Sequence, residues 1–181
     1  MRRVLVTVVV LLALGIPAVA SARLVGPDDG TLVIKSADNG DGIGEGARPV
    51  VTLVIQGFAI GKVTGQGRIE IYYDSTASDT PEVTGATTHQ DVEHAFKDNP
   101  APLEGTQWTG TNFTFRAVQG TYRVMIWGSG VYLFAGGNGR VWMTGQPAGD
   151  TIPDGTYSVN GGDWRSLPFS GGRQINANAA G

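Results

Sequence analysis

The stretch GVYLFAGGNGRVWMTG, residues 130–145, places short apolar and aromatic runs between single or paired glycines. Valine, phenylalanine, tyrosine and tryptophan favour β-strands, whereas glycine interrupts them at turns and bulges. Runs of about five or six such residues read as strands when Gly, Asn and Asp bound them. They recur at 31–35, 50–56, 58–63, 68–73, 113–118, 121–127, 131–135, 140–144 and 156–160. With no amphipathic helix in the pattern, the sequence predicts an all-β domain whose strands are joined by glycine turns.

Two parts of the chain share one order of elements. LVIQG to GQGRIEI, residues 53–71, parallels VMIWG to GNGRVWM, residues 124–143. Each contains a strand, a glycine turn, a second strand, a Gly-x-Gly-Arg turn and a third strand. A three-strand meander used twice would supply two sheets or two halves of a barrel. We therefore predict an antiparallel meander forming a sandwich or flattened barrel, with a short β-solenoid as the alternative.

The N-terminal residues 1–22 have the three-part layout of a secretory signal peptide. Two arginines precede an apolar run, and alternating alanines lead up to Ala22. Cleavage after small residues in this spacing would start the mature chain at Ser21 or Arg23. A glycine and a proline interrupt the run, whereas a membrane anchor needs about 20 apolar residues. We expect a protein secreted or held at the cell envelope, with no membrane insertion once the leader is removed.

The rest of the chain divides by composition. Residues 23–168 are expected to form a single β-domain that includes a long loop at about 74–110, where Ser, Thr, Asp and Pro replace apolar residues. A long excursion of this kind in a compact domain is either functional or flexible. Residues 169–181 have the composition of a disordered tail.

Charge and cysteine content exclude several classes of function. The chain has 13 Lys and Arg against 16 Asp and Glu, a formal charge of -3, and losing Arg2 and Arg3 with the leader makes it -5. An acidic chain lacks the excess of Lys and Arg that binding to nucleic acid or anionic lipid requires. Because cysteine is absent, disulfides, thiolate metal sites and thiol nucleophiles are excluded.

The glycine-rich segments do not match known ligand loops. A calcium-binding β-roll needs an aspartate two residues after its last glycine, and the corresponding position after Gly139 offers Val141 instead. On the EF-hand template, DNGDGIGEG places Ala37 and Arg48 where the first and last carboxylates belong. The sequence therefore predicts no cofactor and no metal from these glycines.

The segment HQDVEHAF contains both histidines of the chain together with two acids. His89, Asp91, Glu93 and His94 are residue types that bind zinc or transfer protons. Their spacing matches no zincin pattern, so they are weak metal candidates and a solvated loop is the better interpretation. No catalytic residue is assigned. The enzyme alternative is a secreted hydrolase that takes acids and a histidine from the 74–110 loop.

Three aromatic residues are candidates for a ligand platform: Tyr72, Tyr132 and Trp142. Exposed tyrosine and tryptophan on a sheet can stack on sugar rings or contact another protein. Tyr72 and Trp142 each follow a Gly-x-Gly-Arg turn and alternate with the aliphatic face of their strands. Exposure of all three would support a binding surface.

The sequences GSGVYLFAGGNGRVWMTG and DGTYSVNGGDWRSLP resemble a group of small exported actinobacterial proteins of unknown function. The resemblance covers residues 113–168 and, more loosely, GQGRIEIYYD. It implies an exported β-domain and no particular site residues. The leading hypothesis is a non-enzymatic binding or structural module of the cell envelope, whose ligand and partners are unknown.

Overall fold

The computed structural model describes residues 29–38, 42–74, 77, 79–145 and 154–168, and the backbone of 173–176. The predicted leader, residues 1–22, and most of the predicted tail lie outside this part. No helix long and apolar enough to cross a membrane occurs among the described residues.

Nine strands and no helix make up the described chain. They form one hydrogen-bonded sheet in the order β3-β5-β2-β6-β1-β7-β8, with β4 added to β5 and β9 added to β6. The strands are β1 Gly30–Ala37, β2 Val51–Tyr73, β3 Glu82–Thr84, β4 Thr88–Phe96, β5 Asn99–Gly128, β6 Val131–Met143, β7 Thr156–Val159, β8 Arg165–Ser166 and β9 Arg173–Asn176. This confirms the all-β prediction.

Every strand pairing in the described part is antiparallel. The predicted meander is therefore confirmed, and the β-solenoid, whose coils stack in parallel, does not fit. The path ends at β3 and β8 and does not close. Of the two predicted closures, the sandwich fits and the flattened barrel does not.

The three longest strands each run through two halves of the sheet. The front half contains residues 51–57 and 66–73 of β2, 105–111 and 121–128 of β5, and 138–143 of β6, with β4 and β9 at its edges. The back half contains residues 58–63, 113–118 and 131–136 of the same strands, with β1, β3, β7 and β8. The end of β5 lies between the two ends of β2, because Ile126 pairs with both Val51 and Ile69.

Glycines form rows where the strands pass between the halves. In the first row Gly57 pairs with Gly120 on one side and with Gly137 on the other, and Gly137 also pairs with Gly30. In a second row Gly67 pairs with both Gly110 and Gly128. The predicted glycine turn at Gly57 and the two predicted Gly-x-Gly-Arg turns at 65–68 and 137–140 are therefore wrong, since these residues lie inside continuous strands.

The glycines are needed because the backbones approach closely and take conformations that side chains resist. Gly137 has a φ of 135°, and a Cβ there would overlap the carbonyl oxygen of Gln56 and lie 2.9 Å from the Cα of Gly57. At the two bends of β5, Asn112 and Gln119 have φ values of 58° and 59°. Such left-handed residues let a strand bulge and change direction.

The inner faces of both halves are buried in one hydrophobic cluster. Alternate residues of β1, β2 and β6 point inward over much of their length, as expected for a period of two. Fully buried examples are Leu53 and Ile69 in the front half and Leu32, Phe113 and Leu133 in the back half. One shared core is what a sheet folded over as a sandwich produces.

The predicted loop at 74–110 is wrong in most of its length. It contains β3, β4 and the first part of β5, and β4 pairs with β5 as a hairpin with Phe96 opposite Asn99. Nearly every residue of β4 is exposed, so the apolar alternation that marks a half-buried strand is missing. Residues 173–176 of the predicted disordered tail also form a strand, β9, on β6.

Replacing Gly137 with alanine should destabilise the fold by about 2–4 kcal/mol, because the new methyl group meets backbone atoms and its φ is unfavourable. Chemical denaturation of the purified variant measures this change. The matched control is Gly44→Ala, at an exposed glycine where an added Cβ would have no atom within 4 Å, and it should change stability by less than about 0.5 kcal/mol. Equal losses in both variants would contradict the role given to the glycine row.

Candidate functional site

The tip of the β4–β5 hairpin folds over the outer face of the front half. Phe96 is only 8% exposed and meets the ring of Tyr72 edge to face, with 5.0 Å between centroids. The ring of His94 lies 4.4 Å from that of Phe96. These contacts leave Tyr72 only 2% exposed. Tyr72 therefore does not belong to a solvent-facing platform.

Asp98, at the hairpin tip, binds two arginines of the sheet. Arg123 Nη2 donates to both carboxylate oxygens, at 2.7 and 2.8 Å, and Arg140 Nη2 donates to one of them. The guanidinium of Arg123 also lies 3.9 Å from the ring centroid of Phe96. Hydrogen bonding from Arg123, aided by its charge and that of Arg140, holds the pKa of Asp98 below its usual value.

The register of the sheet explains why the two arginines converge. Val54 of β2 pairs with Arg123 of β5 on one side and with Arg140 of β6 on the other. The two arginines are therefore two strands apart, about 10 Å at the backbone, and their long side chains meet above Val54 at the carboxylate of Asp98.

A second polar cluster lies beside the first on the same face. The hydroxyl of Tyr72 donates to Glu70 at 2.8 Å, and Arg68 Nε lies 3.6 Å from the other oxygen of that carboxylate. Arg68 also stacks on Trp127, 3.9 Å from the ring centroid, and donates to the carbonyl of Ile43. Burial, together with the bond to Glu70, raises the pKa of the Tyr72 hydroxyl. This network fixes the face and leaves Tyr72 un-ionised.

A shallow groove of about 380 Å³ borders Arg140. Its lining includes the amide side chains of Gln56 and Asn138, which are cross-strand partners, and Thr121. Trp142 lies two residues after Arg140 on β6, so the period of two places both side chains on the same face. Trp142 is 45% exposed. Amides, a guanidinium and an indole thus share one open surface, which we call the Arg140 face.

Tyr132, the third predicted platform residue, lies elsewhere. It belongs to the back half, where its hydroxyl accepts a hydrogen bond from Ser36 at 3.0 Å and its ring faces the ammonium of Lys62 at 4.8 Å. It is partly buried. Of the three predicted aromatics, only Trp142 lies open on the outer face of the front half.

The predicted metal and acid–base candidates separate across β4. Alternation along the strand places His89, Asp91 and Glu93 on one face and His94 on the other, next to Phe96. Within the described ranges no three His, Asp or Glu side chains are grouped to hold a metal ion. The structure therefore does not bring the four candidates together.

The two acids of β4 do border a cavity. A groove of about 660 Å³ is lined by Asp91 and Glu93, with Glu104 from β5 and Asp74 from the end of β2. Glu93 and Glu104 are direct cross-strand partners, an arrangement of like charges that weakens strand pairing. Neither histidine lines this groove, so the histidine and carboxylates expected of the predicted hydrolase do not meet there.

Sequence reasoning did not identify the residues that make up the site, namely Gln56, Asp98, Arg123, Asn138 and Arg140. Part of the signal was present, because Asn138, Arg140 and Trp142 alternate with buried residues of β6. Asp98 gave no signal, since its partners depend on how the hairpin folds over the sheet.

No family model, curated protein or solved structure matches the chain. The chemistry of the site therefore follows from its own geometry.

Acid should release Asp98 from the arginines. Because the pKa of Asp98 is lowered in the folded protein, the ion pair is complete above the pKa of an unperturbed aspartate and is lost as the pH falls through the lower folded value. The ring resonances of Phe96, which contacts Arg123, should shift over this pH range in aromatic NMR spectra. In Asp98→Asn the acid-dependent shift should be absent, whereas Asp91→Asn, on the same hairpin, should titrate like the unmodified protein. An unchanged titration in Asp98→Asn would contradict the assignment.

Proposed function

We propose that this protein is an exported, non-enzymatic β-domain of the cell envelope that binds a saccharide on its Arg140 face. The observation that carries the proposal is an open groove lined by Gln56, Asn138 and Arg140, with the exposed Trp142 further along the same face of β6. An indole stacks on the apolar face of a sugar ring, while amides and a guanidinium bind hydroxyl groups in fixed directions. These are complementary parts of saccharide recognition.

The rigidity of the scaffold supports the same function. The groove lies on three central strands, β2, β5 and β6, and on the same face of the sheet Arg68, Glu70 and Tyr72 are fixed by their own contacts. A site on paired strands is kept in its binding geometry, so little conformational entropy is lost when a ligand binds.

Export is the second part of the proposal, and it is supported by the leader pattern of residues 1–22 and by the resemblance to exported actinobacterial proteins. A chain without cysteine suits an oxidising compartment, because no free thiol is present to be oxidised. The envelope is also where a bacterial saccharide-binding domain meets its ligand.

The hydrolase remains the second candidate function. It is favoured by the four carboxylates of the 660 Å³ groove beside β4, because glycoside hydrolysis uses a pair of carboxylic acids. The acid-and-histidine form of the hydrolase is not supported, since neither histidine lines this groove, and the form that the groove allows is a glycosidase using two of its carboxylates. Release of reducing sugar ends from cell-wall polysaccharide, abolished by Glu104→Gln, would favour the hydrolase.

Trp142→Ala should weaken retention of the mature protein on isolated cell-wall polysaccharide by about tenfold, the expected cost of removing one aromatic contact residue. The matched control is Trp164→Ala. That tryptophan is 47% exposed, similar to Trp142, but stacks under Lys35. A co-sedimentation assay over a range of polysaccharide concentrations gives the apparent affinities. Equal retention of both variants, or no retention of the unmodified protein, would overturn the saccharide site.

Expression of the full chain in an actinobacterial host should place the protein outside the cytoplasmic membrane, with Ser21 or Arg23 at its N-terminus. Peptide mass spectrometry of the culture medium and the envelope fraction identifies that terminus. Replacing Arg2 and Arg3 with glutamate should retain the chain in the cytoplasm, since signal peptides need a positive N-terminal region. Recovery of the full-length chain from the cytoplasm alone would contradict export.

A further inference from the structure

Asp98 occupies a preformed carboxylate site. Its two oxygens accept three hydrogen bonds from Arg123 and Arg140. Both arginines lie on central strands, and the side chain of Arg123 is only 13% exposed. Asp98 comes instead from a hairpin tip whose neighbours, residues 97 and 100–102, are exposed. The receptor half of this ion pair is therefore fixed in the sheet, and the carboxylate half is at the end of a projecting element.

The receptor half retains unused donor capacity. Arg123 Nε is buried without a hydrogen-bond partner, although a guanidinium presents five N–H donors. The side chain of Arg140 is 47% exposed and borders the groove of about 380 Å³. An incoming ligand can thus reach Arg140 from the groove while Asp98 is still bound.

We propose that Arg123 and Arg140 recognise a carboxylate of an acidic saccharide, and that Asp98 fills this place until the ligand displaces it. The inference rests on the proposed saccharide function and specifies the ligand class. With its carboxylate on the two arginines, a uronic acid places its ring over the groove, beside the amide of Asn138. Trp142 lies on the opposite side of Arg140 along β6, where it meets the next ring of an oligosaccharide. The hairpin tip then moves off the arginines and carries Phe96 with it.

Energetics allow this exchange. The carboxylate of Asp98 is 37% exposed, and ion pairs that solvent can reach stabilise a fold only weakly. A saccharide carboxylate makes the same planar, two-oxygen contact with a guanidinium that Asp98 makes. The ligand's added contacts with the groove offset the contacts of Phe96 with Tyr72 and Arg123 that the tip gives up when it moves.

The test measures binding of oligogalacturonate and of the same oligosaccharide with its carboxyl groups reduced to alcohols, by isothermal titration calorimetry at low salt. Asp98→Asn should bind oligogalacturonate about fivefold more tightly than the unmodified protein. The reason is that the uncharged asparagine competes less well than the Asp98 carboxylate for Arg123 and Arg140. Arg140→Gln should bind it at least about tenfold more weakly. The reduced oligosaccharide should bind Asp98→Asn and the unmodified protein equally, and Asp163→Asn, at an exposed aspartate between β7 and β8, should resemble the unmodified protein with both.

A second measurement follows the unmodified protein directly. Addition of oligogalacturonate should shift the ring resonances of Phe96, as expected when the tip leaves Arg123, whereas the reduced oligosaccharide should leave them in place. No gain in Asp98→Asn, or no shift of Phe96 on binding, overturns the displacement of Asp98. Failure of both Asp98→Asn and the unmodified protein to bind oligogalacturonate at millimolar concentration overturns the carboxylate site. After either negative result, the co-sedimentation assay separates the two proposals. If retention on cell-wall polysaccharide still depends on Trp142, the proposed saccharide function stands without the carboxylate site. If the protein is not retained, the saccharide function and the carboxylate site are both overturned.

Discussion

Close backbone contact at the two glycine rows is the constraint on which the rest of the structure depends. At Gly57 and Gly137 a side chain would occupy the space of the facing backbone. Because glycine recurs at paired positions on neighbouring strands, whole strands bend together and remain hydrogen bonded. One sheet then covers both sides of a single core. The outer face of its front half is left for polar and aromatic side chains.

The strand content could be predicted from composition. Alternation along the strands predicted which side chains face the core, as at Leu53 and Ile69. The same sequence could not show whether a glycine turns the chain or bends it. That distinction depends on the partner strand, since Gly57 becomes a bend only because Gly120 and Gly137 lie beside it. The β4 strand was missed for another reason: its residues before Phe96 are nearly all exposed, so its sequence carries no hydrophobic period.

The candidate site was predictable only where a local pattern determined it. Trp142 is exposed because it alternates with buried residues of β6. Tyr72 has the same alternation within β2 and is buried, since Phe96 at a distant hairpin tip packs against it. The meeting of Asp98 with Arg123 and Arg140 depends on strand register and on the fold of the hairpin together. No local sequence signal contains that information.

The double pairing of the end of β5 also determines how the chain assembles. Residues 121–128 separate the two ends of β2 in the front half, and Ile126 pairs with a residue on each side. Neither end of β2 has its full set of neighbours until this distant segment arrives between them. Loop-closure entropy must therefore be overcome before most pairings form, as in other β-proteins that fold in milliseconds to seconds. The front half of the sheet therefore cannot be completed until the whole of β5 has been synthesised.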